Sequence, residues 1–407
     1  FFRRRRVMTT LRVLAGDELG YVRVCANAPA ASDDDGESLH LIGKFGALDR
    51  ASATLRMHHA TPNAYGDDSL TFASLGTIVA ARKGGRVDAL DARSGAQKHK
   101  TLRVDGEIVD AYGSCSSTTA MDVVVVHASG EVSTHGVEGD GDWTRRGSFT
   151  AMANALSADV DTRLGRIVIG GKDFGNDVMI YDIAEGKRLY KAKPPPVNWL
   201  NYRAPPWVSA TCFASQSECV RFFVGTGEHR FRHYDTREAK RAVLELDMGN
   251  AVITSVASSA DGNEAYVANA RGLFEIVDLR AGRTRGKFRG NSGSIRQIAV
   301  HPDGMHVACG GLDQYVRVYD VKTKRAVASA YAKQALTSIV FDAYTPEVEA
   351  ANAKSAKKKA KKSTKVDADG SVKKLKKKVK RVVASDSEDD VPKKTKKTKK
   401  KLKMRIE

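Results

Sequence analysis

Five short apolar segments of this chain each end in aspartate, and each aspartate opens a turn of similar composition. They are Leu90-Asp91, Tyr181-Asp182, Tyr234-Asp235, Val277-Asp278 and Tyr319-Asp320, which continue as DARSG, DIAEGK, DTREAK, DLRAGR and DVKTKR. The last two aspartates lie 42 residues apart, as do Asp261-Gly262 and Asp303-Gly304. Moving back from Asp278, the intervals are 43, 53 and 91 residues, the last about two repeats. The clearest unit runs from Ser294 to Ala330. It has apolar runs at Ile295–Val300, Val307–Cys309, Val316–Tyr319 and Ala326–Ala330, separated by Asp303-Gly304, Gly310–Asp313 and Lys322–Lys324. Short β-branched and aromatic runs between turn residues read as an antiparallel meander. One such sheet cannot bury both of its faces, so copies must stack on one another.

A period of about 40–45 residues with four strands and a closing aspartate is the signature of a WD-type β-propeller. The spacing predicts an all-β domain over residues 11–344 with seven blades. Residues 11–25 supply two strands with no first strand before them, and 39–45 supply a fourth. Leu336–Phe341 is a lone strand at the far end, and it is predicted to complete that split blade and close the ring. The second to seventh blades are placed at roughly 54–103, 107–149, 151–192, 208–246, 251–288 and 294–330. In the third, the third strand is expected to end at Ser133-Thr134-His135, without the aspartate. Residues 1–10 are assigned to no blade and are read as disordered or as a mis-annotated start, Met8 being the true start in the second case.

Between the fourth and fifth blades lies KPPPVNWLNYRAPPW, residues 193–207, whose five prolines bar it from a sheet. Propeller topology puts it on the same face as the turns joining second to third strands. Trp199, Leu200, Tyr202, Arg203 and Trp207, with Arg230 and Arg296 placed beside and near them, have the composition of a protein-binding hot spot. The bland alternative makes Trp207, and with it Trp199, a plug between blades four and five.

The formal charge of +19 is concentrated at one end. Residues 346–407 hold 23 Lys/Arg against 9 Asp/Glu, and four of the five remaining net charges come from Arg3 to Arg6. A segment so rich in lysine and so poor in aromatics cannot bury enough apolar surface to order itself, so residues 345–407 are predicted to be a disordered basic tail. Lys357, Lys358, Lys359, Lys373, Lys374, Lys376, Lys377, Lys378, Lys380 and Arg381 form blocks suited to a nuclear import receptor or to RNA phosphates. Nothing aromatic is interleaved to stack bases, so any RNA contact would be sequence-blind. Ser385 and Ser387 each have an acidic residue three positions on, as acidophilic kinases require.

No phosphate-binding loop, nucleophile elbow or HExxH segment occurs, and no nucleophile is paired with a base, so the chain is read as a non-enzyme without cofactor or small-molecule substrate. The five cysteines show no metal-ligand spacing and are read as reduced thiols of an intracellular protein. His58-His59 is taken for loop or strand surface. Asp313 is expected to bond the amides of its own turn. No apolar run reaches membrane-spanning length. A competing role rests on Asp91-Ala92-Arg93, Asp235-Thr236-Arg237 and Asp278-Leu279-Arg280. These fit the Asp-x-Arg pattern by which some WD propellers serve as substrate receptors of a cullin ubiquitin ligase.

The segments NWLNYRAPPW, GTGEHRFRHYDTR, GLFEIVDLRAGR, GSIRQIAVHP and CGGLDQYVRVYD resemble the Nsa/WD-repeat-seventy-four family. The resemblance runs from about Gly165 to Phe341 and covers the tail by composition only. Arg241-Ala242 stands where the family has Arg-Pro, and Tyr181-Asp182 where it has Trp-Asp. The resemblance implies a seven-bladed nucleolar propeller that enters precursors of the large (60S) ribosomal subunit and supports rRNA processing. It further implies release by a nuclear AAA ATPase related to valosin-containing protein.

Overall fold

Runs of β-branched and aromatic residues four to eight long, cut by Asp-Gly and Gly-Gly turns, can satisfy their backbone only by pairing side by side. In the computed structural model they form seven sheets. It describes residues 11–27, 39–62, 76–116, 120–139, 141–173, 177–196, 200, 205–214 and 220–342. The chain divides into two units, Phe1–Thr345 and Pro346–Glu407. The tail and its lysine blocks, Ser385, Ser387, residues 1–10 and Cys219 lie outside the described residues. Among the described residues no helix is long and apolar enough to cross a membrane.

The sheets are the blades of a seven-bladed β-propeller, each an antiparallel meander of four strands counted outward from the central axis. Blade 2 begins at Thr54–His59 and ends at Leu102–Arg103. Blades 3 to 7 begin at Ile108–Cys115, Ala155–Asp161, Val208–Phe213, Ile253–Ser258 and Ile295–Val300. Blade 1 is split as the spacing predicts. Leu336–Phe341 is its innermost strand, followed outward by Arg12–Asp17, Val22–Asn27 and Leu39–Phe45.

Two local features differ from the sequence reading. The third strand of blade 3 continues to Glu138, past the expected end at His135. Its partner, Ala120–His127, holds the uninterrupted run Val123–Val126, which pairs as far as Ala120↔Glu138. Thr61–Pro62 adds a short parallel pairing to the inner strand of blade 3, at Thr61↔Ser114.

The aspartates that define the repeat act inside their own turns. Asp182 Oδ1 accepts the amides of Ala184 and Glu185 at 2.9 and 3.1 Å. Asp278 Oδ1 does the same for Arg280 and Ala281, and Asp320 for Lys322 at 2.8 Å. Asp235 accepts Arg237 N at 2.9 Å and Asp91 accepts Ser94 N at 3.0 Å. Asp313 holds its turn through Tyr315 N at 3.3 Å, as expected. These contacts replace water for the amides of a tight turn, which is why aspartate recurs there. The core lies between blades. Phe274, Phe288 and Tyr319 fill the gap from blade 6 to blade 7, and Phe222 stacks on Tyr234 with centroids 4.9 Å apart.

Closure joins the two ends of this unit. Val13 pairs with Phe341, Leu14 with Val340, Ala15 with Ile339 and Gly16 with Ser338. Just beyond, Asp342 N donates to Arg12 O at 2.8 Å, and the buried Asp342 carboxylate meets the Arg12 guanidinium at 3.0 Å. Leu336, Ile339 and Phe341 also seal blade 7 against blade 1, packing with Val13, Ala308 and Val318. A chain ending at Ala335 therefore loses the innermost strand and leaves two blades with exposed apolar faces. Its thermal midpoint should fall for the whole ring in one transition. Leu336→Ala alone should cost about 2–5 kcal/mol in chemical denaturation.

Candidate interaction surface

Strands leave the axis and return to it on one face of the disc, through the turns from second to third strands and the connections between blades. Trp207 sits there, immediately before the inner strand of blade 5. Gly227, in a turn of that blade, donates its amide to Trp207 O at 2.8 Å. A Cβ on Gly227 would lie 2.0 Å from the indole Cδ2, so only glycine admits the ring. On the other side Lys172, from the matching turn of blade 4, places its amine 5.0 Å from the indole centroid. Trp207 thus bridges blades 4 and 5 and still exposes 37% of its surface. The ring contacts both blades, and part of it remains exposed. Lys193 N donates to Lys240 O at 2.7 Å, which ties the start of the proline-rich segment to blade 5. Leu200, within that segment, is 62% exposed. Trp199, Tyr202 and Arg203 lie outside the described residues.

The two arginines predicted beside and near this segment sit on different blades. Arg230 faces the outer strand of its own blade, with Glu245 and Asp247 each 3.9 Å away. Arg296 is exposed two blades on, at the mouth of the central channel. That mouth encloses about 430 Å³, lined by Glu18, Arg56, Glu107, Leu156 and Arg296 among others. Arg296 follows from its place at the start of an inner strand, which belongs to the axis, whereas Arg230 starts a third strand, farther out.

Below the mouth the inner strands are clamped to one another by side chains. Arg56 of blade 2 crosses to the Arg296 carbonyl of blade 7 at 3.0 Å. Gln297 accepts Ile339 N at 3.2 Å and donates to Met57 O at 3.4 Å, joining blades 7, 1 and 2. Ser209 Oγ donates to Ile253 O at 2.5 Å. A chamber of about 190 Å³ follows, with Asp110 and Asp159 among its walls. His58 Nε2 lies 2.9 Å from Asp110 Oδ1, and the Tyr112 hydroxyl is 2.9 Å from Asp110 Oδ2. His59 is on the opposite side of the same strand, bonded to the Phe341 carbonyl of blade 1. The histidine pair is therefore not surface. Because strand side chains alternate, one ring enters the channel and the other staples the closing blade.

Asp159 Oδ2 accepts Phe213 N of blade 5 at 2.7 Å. Burial nevertheless pushes its pKa up to about 6 from the usual 3.8, with the nearby Asp110 charge adding to the rise. The Cys212 thiol beside it is pushed up as well, by burial and then by Asp159. The chamber joins carboxylates to hydrogen-bond partners and offers no activated nucleophile. The three Asp-x-Arg turns spend each aspartate on its own loop, while Arg93, Arg237 and Arg280 are exposed.

Comparison with known proteins follows this architecture. A model described as "WD domain, G-beta repeat" matches residues 282–320. That span takes the outer strand of blade 6 and three strands of blade 7, so the sequence repeat is offset from the blade by one strand. WD repeat-containing protein 74 of Bos taurus and of Homo sapiens are each 30% identical over 178 residues, 43% of this chain and 45% of theirs. Ribosome biogenesis protein NSA1 of Meyerozyma guilliermondii is 26% identical over 210 residues, 44% of this chain and 52% of that protein. The chain is similar to these proteins over less than half of its own length. It spans about half the length of the curated relatives it matches.

A carboxyl with a raised pKa withdraws stability as pH rises. Asp159 is neutral at low pH; from about 4 to about 6 the unfolded chain ionises more readily than the folded ring, and the loss is complete above that. Asp159→Asn keeps an acceptor for Phe213 N and removes the buried charge. The variant should be more stable than the parent at pH 7.5, by on the order of 1–2 kcal/mol. The advantage should disappear near pH 4, as read by denaturant midpoints at the two pH values.

Proposed function

We propose that this chain is a non-catalytic scaffold of ribosome biogenesis, entering nucleolar precursors of the large (60S) ribosomal subunit and supporting rRNA processing. The observation that carries this reading is the similarity to proteins named for ribosome biogenesis. The exposed Leu200 and half-covered Trp207 support a contact surface at the connection between blades 4 and 5. Pre-ribosomal proteins dock there, with Trp199, Tyr202 and Arg203 supplying the rest of the hot spot. Arg230 and Arg296 extend the same face outward and toward the axis. Release depends on a nuclear AAA ATPase related to valosin-containing protein.

Aromatic and arginine anchors carry most of the energy of such contacts, and proline stiffening lowers the entropy lost on docking. Trp199→Ala combined with Arg203→Ala should weaken co-purification with pre-ribosomal particles by upward of about 2 kcal/mol. Folding stability should drop by less than about 1 kcal/mol. Normal particle binding by the double variant, or early unfolding, would remove the surface from consideration. Recovery of a cullin and its adaptor with the tagged chain, in place of ribosomal proteins, would favour the Asp-x-Arg turns and the receptor role.

The lysine-rich segment gives the chain its nuclear and nucleolar address through an import receptor. Its blocks from Lys357 to Lys359 and from Lys373 to Arg381 also contact RNA phosphates. A chain ending at Asp342 should keep the propeller and lose nucleolar accumulation. If about five phosphates of single-stranded RNA are neutralised, log affinity should fall with log salt at a slope of about −3.5. Between about 50 and 200 mM salt that is roughly a hundredfold. A salt-insensitive affinity would separate the tail from RNA binding.

A further inference from the structure

The turn between the first and second strands of blade 7 reads His301-Pro302-Asp303-Gly304-Met305-His306. It folds both imidazoles onto one carboxylate. Asp303 Oδ1 lies 2.9 Å from His301 Nδ1, and Oδ2 lies 2.8 Å from His306 Nδ1. The carboxylate cannot swing freely, because Oδ1 also accepts Met305 N at 2.7 Å and His306 N at 3.2 Å. Two nitrogens and a carboxylate thus converge within 4.8 Å, on a turn that holds itself in place.

His301 Nδ1 has neighbours with opposite demands. The Asp303 amide donates to it at 3.2 Å, which requires a lone pair, while the Asp303 carboxylate at 2.9 Å requires a proton. A ring nitrogen has one or the other. A cation that takes the lone pair in place of the amide also answers the carboxylate, so both demands are met at once. Imidazole nitrogen with carboxylate oxygen is a donor set for borderline transition metals, whereas calcium and magnesium take oxygen.

We propose that His301, Asp303 and His306 form a binding site for a divalent transition metal of the zinc class. Zinc bonds of about 2.0–2.1 Å set tetrahedral donors roughly 3.3 Å apart, so the carboxylate and each imidazole part by about half an ångström. The ligand atoms already lie within 4.8 Å of one another. His301 is buried and packs perpendicular to Phe341, with ring centroids 5.0 Å apart. The ion therefore arrives from the side of Asp303 and His306, which remain partly exposed. A fourth position is left to water. Because Phe341 belongs to the closing strand of blade 1, the ion fixes a turn that braces ring closure.

The test uses the full chain, stripped of metal with a chelator and titrated with Zn²⁺ by calorimetry. Co²⁺ serves as a visible reporter of its coordination. One equivalent of Zn²⁺ should bind, raise the thermal midpoint and resist competition by excess Ca²⁺. His306→Ala and Asp303→Asn should each weaken that equivalent at least tenfold and alter the Co²⁺ spectrum. Their metal-free melting curves show whether the variants are folded. An equivalent that survives both substitutions with its affinity unchanged belongs to other residues and overturns the assignment. So does the absence of stoichiometric binding by the parent, or a preference for Ca²⁺.

Discussion

The pairing of Leu336–Phe341 with Arg12–Asp17 joins segments about 320 residues apart, and the remaining blades depend on it. A propeller blade is stable because both of its faces are covered by neighbours, which a linear array can supply only to its inner members. Closure gives every blade two neighbours. Backbone pairing alone would leave the register of so distant a contact weakly defined. The alternation of Val13, Ala15, Ile339 and Phe341 toward blade 7, and of Leu14 and Val340 toward blade 2, fixes it, since a slip of one residue would exchange the two sets. The pair of half-buried Arg12 and buried Asp342 then marks the end of the strand.

Around the axis the problem is the reverse, because the innermost strands, apart from the short Thr61–Pro62 pairing on blade 3, have no further strand to pair with. Their polar groups are met by side chains from adjacent or next-but-one blades, as Arg56, Gln297, Ser209 and Asp159 show. These groups keep the channel polar and tie its walls together. The raised pKa of Asp159 reflects what that costs: a carboxylate useful as an acceptor is held where its charge is poorly solvated.

Much of this architecture is legible in sequence because the repeat acts twice, once as hydrophobic period and once as turn chemistry. The aspartates at 182, 278 and 320 announce strand ends, and the unpaired strands at 11–25 and 336–341 announce the split blade. Blade 3 was harder to delimit, since it lacks the aspartate and its third strand runs on to Glu138 under the pairing of Val123–Val126. Interactions between blades leave no local trace. Nothing near His58-His59 indicates that one ring meets Asp110 and the other the Phe341 carbonyl. Likewise Arg230 and Arg296 share a face in the topology, but their distance from the axis follows from which strand each begins. The His301, Asp303 and His306 group was missed for a different reason. The spacing His-x-Asp-x-x-His is local and readable, yet it contains no cysteine pair and no HExxH signature.

Closure by the last strand of the propeller also sets the order in which the protein is made. At synthesis rates of about 5–20 residues per second, roughly 15–60 seconds separate the appearance of Arg12 from that of Leu336. Throughout that interval the strand Arg12–Asp17 lacks its inner partner, and six blades stand in an open arc whose ends are apolar. Open strand edges of this kind recruit other chains. The nascent protein is therefore most vulnerable to misassembly before release, and most in need of chaperones while its own ring is unfinished.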